Sequence, residues 1–308
     1  MLEKRFYQTR KQMGSPAEVI IYVDNDKRAE EIYKKLWETM DAYESRFSRF
    51  KVDSELTLFN DSNGTFTELS SEFINMLLVC RHFNKLTTGI FNPLILPVLQ
   101  QAGYKGSWPE VATYDKKLDY SSRKVADYSG VVIKKSQAKI PKNTALDFGG
   151  VGKGYGLDVA SSALESMGVK NYCISFGGDI ICSGYDGDRN WKIGVSYVHD
   201  HSVPTAYFTN KTGEKLAIAS STVVRRQGEG WNHLIDPRTG EPTKSEVLMA
   251  TAVTRSGVAA DICAKYFLLE PDGKLNDPSE SDEPLSIFYQ YTEGNKTIQE
   301  NSFIESIS

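Results

Sequence analysis

The order of apolar and polar positions divides the chain into short β-runs and amphipathic helices. Residues 19–23, Val-Ile-Ile-Tyr-Val, are an unbroken apolar run rich in β-branched side chains and read as a buried strand. Asp24 to Asp26 turn the chain. Residues 29–48 then carry Ile32, Tyr33, Leu36, Trp37, Met40, Tyr43 and Phe47, the three-and-four spacing of one helix face. Ser70 and Ser71 stand where a helix cap belongs, ahead of Phe73, Ile74, Leu77, Leu78, Cys80 and Leu86; Gly89 closes that helix and Pro97 limits any helix beyond it. Residues 107–139 are mostly polar, with strand-like pieces such as 131–133, and read as a surface excursion. Tyr155, Leu157, Val159, Ala160, Ala163, Leu164 and Met167 predict a helix closed by Gly168. Residues 172–176 and 191–197 read as strands, 199–214 as a loop and hairpin, and 216–219 as a run leading into Ser220-Ser221-Thr222. Residues 249–254 predict a strand, and 258–269 a helix stopped by Pro271 with Asp261 in its first turn. Residues 288–291 read as an edge strand, and the last residues as a fraying end. Strands and helices intermingle without strict βαβ alternation. The expected class is α+β: a mixed, largely antiparallel sheet with packed helices, in a single domain over 1–308 that can divide into two lobes.

Composition narrows the function classes. The chain has 308 residues, 40% hydrophobic and 25% charged, ordinary for a soluble globular protein with a sizeable core. A net charge of −4 gives no basic face, which argues against nucleic acid as a partner. No apolar run approaches the roughly 20 residues of a membrane helix. The basic first residues have no apolar signal core, so the expected site is the cytoplasm; a removed leader would instead mean a periplasmic or membrane-anchored protein. Cys80, Cys173, Cys182 and Cys263 are far apart and form no C-x-x-C; the first, second and fourth lie in apolar patterns and read as buried thiols.

The candidate chemistry centres on residues 147–158, Asp-Phe-Gly-Gly-Val-Gly-Lys-Gly-Tyr-Gly-Leu-Asp. Glycines there precede a helix, where bare N–H groups and the positive helix end attract an anion and Lys153 adds a full charge. Phosphate is the expected ligand; a glycine turn that only packs a helix against a strand is the plainer alternative. The spacing is not a Walker A loop, because Gly154 follows Gly152-Lys153 and Asp147 takes the first glycine's place. A full dinucleotide Gly-x-Gly-x-x-Gly is missing too, and Asp147-Phe148-Gly149 has no H-R-D catalytic loop to accompany it. Further on, His233-Leu234-Ile235-Asp236-Pro237-Arg238-Thr239-Gly240 is a turn-forming block with several ionisable groups.

Several blocks agree in order and spacing with one family. Met13-Gly14-Ser15, Phe91-Asn92-Pro93, the 147–158 loop, Gly177-Gly178-Asp179-Ile180, His233 through Gly240 with Pro242, and Ala260-Asp261 together resemble the FAD:protein FMN transferases, also called ApbE, over about residues 10–270, leaving a tail near 292–308. The resemblance implies an enzyme that uses FAD and Mg²⁺. Such an enzyme transfers the FMN half to a threonine or serine hydroxyl of an acceptor flavoprotein and releases AMP; some members hydrolyse FAD to FMN and AMP instead. It implies flavin-binding segments at Met13, Phe50, Ile90, Phe91, Asn92, His233 and Leu234, and FAD contacts from Asp147 and Lys153. It implies a metal held by a loop carbonyl near Gly150 and by Asp261, and catalytic roles for Asp261, His233 and Lys153. One carboxylate with phosphate oxygens and waters suits Mg²⁺, and a histidine suits phosphate orientation or proton relay.

The chain departs from the family pattern at three positions. The family's A-D-A-x-x-T places a threonine one helical turn after the aspartate, where its oxygen also faces the metal; here that residue is Lys265. An ammonium has no acceptor and cannot ligate Mg²⁺, but it can take the cation's place beside Asp261. Asn92 replaces an expected aspartate, and Thr222 an expected glycine. These departures make a FAD-binding protein that has lost transfer the alternative to the transferase, with a FAD pyrophosphatase as a further one.

Overall fold

The computed structural model describes residues 3–101, 124–224, 227–228, 231–291, 294–298 and 303–306. It opens with a hairpin of β1 (Lys4–Gln12) and β2 (Ser15–Val23). Met13 and Gly14 make the turn with φ of 49° and 72°, the paired positive angles whose twist suits a two-residue hairpin. The basic residues 4–12 gave no strand signal. They form an outer strand of the sheet, where exposed lysines and arginines discourage pairing with another chain.

Helix α1 (Asp26–Phe47) starts at Asn25, whose side chain accepts the Arg28 N–H; of the predicted stripe it buries Ile32, Tyr33, Leu36, Met40, Tyr43 and Phe47 and leaves Trp37 partly exposed. Helix α2 (Glu55–Asp61) and β3 (Thr67–Glu68) precede α3 (Ser71–Leu86), which Ser70 caps as its spacing predicts. A short α4 (Leu96–Gln101) follows the 3₁₀ turn Pro93–Ile95. Of the expected polar excursion, residues 107–123 lie outside the described residues. Its remainder supplies β4 (Val132–Lys134) and β5 (Gln137–Lys139); β5 pairs with both β3 and β4 in a small sheet.

Helix α5 (Gly152–Ser166) begins inside the glycine loop. After it run β6 (Tyr172–Phe176), β7 (Asp179–Ser183), β8 (Trp191–Ser196), β9 (Pro204–Asn210) and β10 (Leu216–Thr222). A small ribbon of β11 (Gln227–Gly228) and β12 (Trp231–Asn232) leads to β13 (Val247–Thr254), helix α6 (Gly257–Leu269), β14 (Ser286–Tyr291), β15 (Gly294–Ile298) and β16 (Ile304–Ser306).

Eight strands form one antiparallel sheet in the order β1-β2-β6-β7-β10-β13-β14-β15. The expectation of an edge strand at 288–291 is therefore corrected. β14 runs between β13 and β15, its first five residues are all buried, and Gln290 is satisfied by the Val198 N–H and the Ser196 carbonyl. Part of the expected fraying end lies outside the described residues, while Ile304–Ser306 pairs with β9.

The sheet has a core on each face. On β10, Ala217 and Ala219 face the helices while Leu216 and Ile218 face a second, small sheet of β16-β9-β8, with Trp191 and Phe208. Cys80, Cys182 and Cys263 are buried; Cys173, expected to be buried, is only half-buried. Among the described residues no helix is long and apolar enough to cross a membrane.

Candidate functional site

The candidate site is built where α5 meets α6. The two helices cross with their backbones in contact. A methyl group added to Gly154 would overlap the Gly257 carbonyl oxygen and stand 2.6 Å from Asp261 Cβ; one added to Gly257 would come 2.9 Å from Leu157 Cβ. Only glycine permits so close an approach. Each helix also supplies the other's N-terminal acceptor. Asp261 on α6 accepts the Gly154 N–H of α5 through Oδ2 at 3.0 Å. Asp158 on α5 accepts the Gly257 and Val258 N–H groups of α6 at 2.7 and 2.9 Å. Burial pushes the Asp158 carboxyl up to about 6, against the pull of those two N–H groups. The expected place of Asp261 in its helix's first turn is corrected: α6 starts at Gly257 behind the Ser256 cap, and Asp261 serves α5's first turn instead of its own.

Lys153, in the first turn of α5, forms an ion pair with Asp179 Oδ2, and Asp179 Oδ1 accepts the Ser220 N–H at 3.3 Å. The lysine stem lies beside Gly177, where an added methyl would be 3.8 Å from Lys153 Cδ and 3.0 Å from Ser15 Oγ. The Met13-Gly14-Ser15 turn, the Gly177-Gly178-Asp179 turn and the glycine loop are thus neighbours. Met13 reaches the same helix face: its Sδ would be 3.5 Å from a methyl at Gly156, and its N–H donates to Glu44 Oε2 at 2.8 Å. Tyr43 donates to the Gly152 carbonyl at 2.7 Å, tying α1 to the start of α5.

Asp147 is buried and fully engaged. Its Oδ2 pairs with Arg49 Nε at 2.6 Å, its Oδ1 accepts the Gly149 N–H at 2.7 Å, and its own N–H donates to the Pro93 carbonyl at 2.8 Å. The last bond joins the loop to the Ile90–Pro93 segment. There Ile90 is buried, Phe91 is held by Thr87 Oγ1 and Asn84 Nδ2, and Asn92 caps the 3₁₀ turn at Leu94 N while donating to the Ala126 carbonyl. Arg49 also stacks on Phe50 at 4.2 Å, and Phe50 itself is 52% exposed, outside the packed cluster.

The metal expectation centres on Asp261 and Gly150, and there the residues do not fit a divalent cation. Lys265, one turn along α6, places its ammonium on Asp261 Oδ1 and 3.1 Å from the Asp261 carbonyl oxygen. With Oδ2 on the Gly154 N–H, each carboxylate oxygen already has a partner, and the ammonium stands where a cation would. The lysine stem fills the space beside Gly150: a methyl there would be 3.8 Å from Lys265 Cδ and 3.7 Å from Phe91 Cε2. Burial works to raise the Asp261 carboxyl, but the charges of Lys265 and Lys153, with hydrogen bonds from Lys265 and the Gly154 N–H, outweigh it and hold the group below the usual carboxylate range. Among the described residues no three His, Cys, Asp or Glu side chains gather to hold a metal ion.

The His233 block folds as the turn its composition predicts. Leu234 is buried and its carbonyl accepts the Thr243 N–H at 2.8 Å; Asn232 Oδ1 accepts the Leu234 N–H. Ile235 bridges to Pro242, the Gly240 N–H donates to the Asp236 carbonyl at 2.7 Å, and Arg238 joins Asp236 to Glu270 just past the end of α6. The block is thus anchored from the end of α6 far from Asp261. Sequence reasoning missed Arg49, Asp158 and the role of Asp179. Each is recognisable only as a charged residue bordering an apolar run, and its partner comes from another element.

Comparison with known proteins identifies the family and the fold. Residues 13–283 match the ApbE family. A FAD:protein FMN transferase of Vibrio cholerae is 26% identical over 270 residues, covering 84% of this chain and 79% of the relative. One from Haemophilus influenzae is 25% identical over 243 residues, 75% of this chain and 70% of the relative. Among solved structures, the apbe protein of Thermotoga maritima superposes with a TM-score of 0.81 at 20% identity, over 97% of this chain and 98% of that one. The Pseudomonas stutzeri flavinyl transferase ApbE, in its apo form, gives 0.79 at 17% identity, over 97% and 95%. At these identities the structural likenesses speak to the fold.

Proposed function

The chain belongs to the ApbE family, and from that membership we propose that it moves the FMN half of FAD onto a threonine or serine hydroxyl of an acceptor flavoprotein, releasing AMP. The hydroxyl oxygen attacks the phosphorus on the flavin side. A new P–O bond forms, the bridging P–O bond breaks, AMP leaves with the bridging oxygen, and the hydroxyl gives up its proton. Such a transfer asks the protein for position and charge more than for covalent chemistry.

The observation that carries the reading is the Lys153 ammonium at the positive end of α5, held by Asp179 and walled by the Ser15 and Gly177 turns. That arrangement suits a pyrophosphate. Asp147 is assigned the orientation of Arg49, and Met13 and Phe91 the flavin side. The test is chromatography of nucleotides after incubation with FAD, with and without a flavin-accepting carrier. The expected result is AMP only with carrier, and flavin fluorescence that stays with the denatured carrier in a gel. AMP with free FMN in both tubes would mean a FAD pyrophosphatase. The Lys265–Asp261 pair favours one second reading, a FAD-binding protein without transfer; it would leave FAD intact in both tubes.

A further inference from the structure

We infer that the Lys265 ammonium does the work of the divalent cation, so that this chain holds and turns over FAD without a metal. The inference rests on the transferase reading and concerns the same site. Three observations carry it. Lys265 holds Asp261 Oδ1 and the Gly154 N–H holds Oδ2, so a metal at Asp261 would have to displace the ammonium. The ammonium is placed by packing, not by chance: its stem runs beside Gly150, and only 22% of the side chain is exposed. It also keeps a donor for a ligand. An ammonium has three N–H donors, and Asp261 takes two of them, through Oδ1 and its carbonyl oxygen.

The remaining donor lies on the same α5–α6 seam as Lys153, whose charge is felt at Asp261. Two lysines balanced by Asp261 and Asp179 make a cluster with no net charge. A bound pyrophosphate then meets two ammonium groups already fixed in place. A divalent ion added beside Lys265 would meet repulsion at close range. Asp261 is in this view a positioning residue, acting through Lys265.

The experiment uses the full chain stripped with excess chelator and compares it with Lys265→Thr. Three quantities are read: Mn²⁺ uptake by electron paramagnetic resonance, FAD affinity by flavin fluorescence, and AMP release with carrier. The unaltered protein is expected to take up no Mn²⁺ and to bind and turn over FAD equally in chelator and in Mg²⁺. Lys265→Thr is expected to take up Mn²⁺ and to bind FAD about tenfold more tightly with metal than without, a change of about 1.4 kcal/mol. A Mn²⁺ site in the unaltered protein, a tenfold loss of its FAD affinity or turnover in chelator, or no new Mn²⁺ site in the threonine variant would overturn the inference. Should the threonine variant not fold, Lys265→Met supplies a stem without a charge. It should bind FAD about tenfold more weakly in chelator, and unchanged affinity would be fatal. Failure of the transferase reading is seen separately, as absent AMP and covalent flavin under every condition, because Mn²⁺ uptake and FAD binding need no turnover.

Discussion

Lys153 pairs directly with the buried Asp179, so binding and stability can be tested apart at this pair. Lys153→Met leaves Asp179 buried without its cation, a loss of about 3–5 kcal/mol by analogy with other broken buried pairs. It should also weaken FAD binding about tenfold or more. Adding Asp179→Asn should restore most of the stability measured by denaturant unfolding, but none of the FAD affinity. Asp158 gives a pH-dependent expectation. Its carboxyl titrates near 6 when folded against an ordinary 3.8, so the folded state holds the extra proton between those values. Stability from this group is greatest below that window and falls as pH rises through about 6. The melting temperature of the unaltered protein, taken relative to Asp158→Asn, should therefore rise as pH is lowered from 7 to 5. Lys153, Asp261 and Lys265 were legible because motif spacing marks them. Arg49, Asp158 and Asp179 were not, since their meaning depends on partners 98, 99 and 26 positions away along the chain.

At the scale of elements, the α5–α6 crossing has no room to give. Gly154→Ala forces a methyl into the Gly257 carbonyl and the Asp261 side chain, so the helices must part. The expected effect is a loss of about 1–3 kcal/mol, the range seen for overpacked cores, together with loss of FAD binding. A variant as stable as the parent in thermal unfolding would contradict this account. The helices were readable from their apolar stripes and serine caps, and Ser70 caps α3 as spacing demands. Two strands were misjudged for opposite reasons. β1 is polar because it is an outer strand, and a polar run carries no periodic signal. β14 seemed an edge because it comes late and follows a polar stretch, yet neighbours cover it on both sides.

At the scale of the molecule, the eight-stranded sheet separates two cores, and the candidate site belongs to the helical side. Phe208 lies fully buried on the other side, against the small sheet. Phe208→Ala should lower stability by about 3–5 kcal/mol while leaving FAD affinity unchanged in the fraction that remains folded. The antiparallel sheet and helical layer followed from the mixture of strand and helix signals. The division into two faces did not, since alternation along β10 fixes which residues oppose each other but not what covers them. The exchange of caps between α5 and α6 has a consequence for synthesis. The Gly154 N–H waits for an acceptor 107 residues downstream, and Asp158 for donors 99 and 100 residues downstream. A ribosome that has finished α5 has therefore made a helix with a bare end and a buried carboxylate that has nothing to bind. Until residues 257–261 emerge, the first turn of α5 lacks its acceptor, and a pause or truncation before that point would leave a product that chaperones and proteases recognise as unfinished.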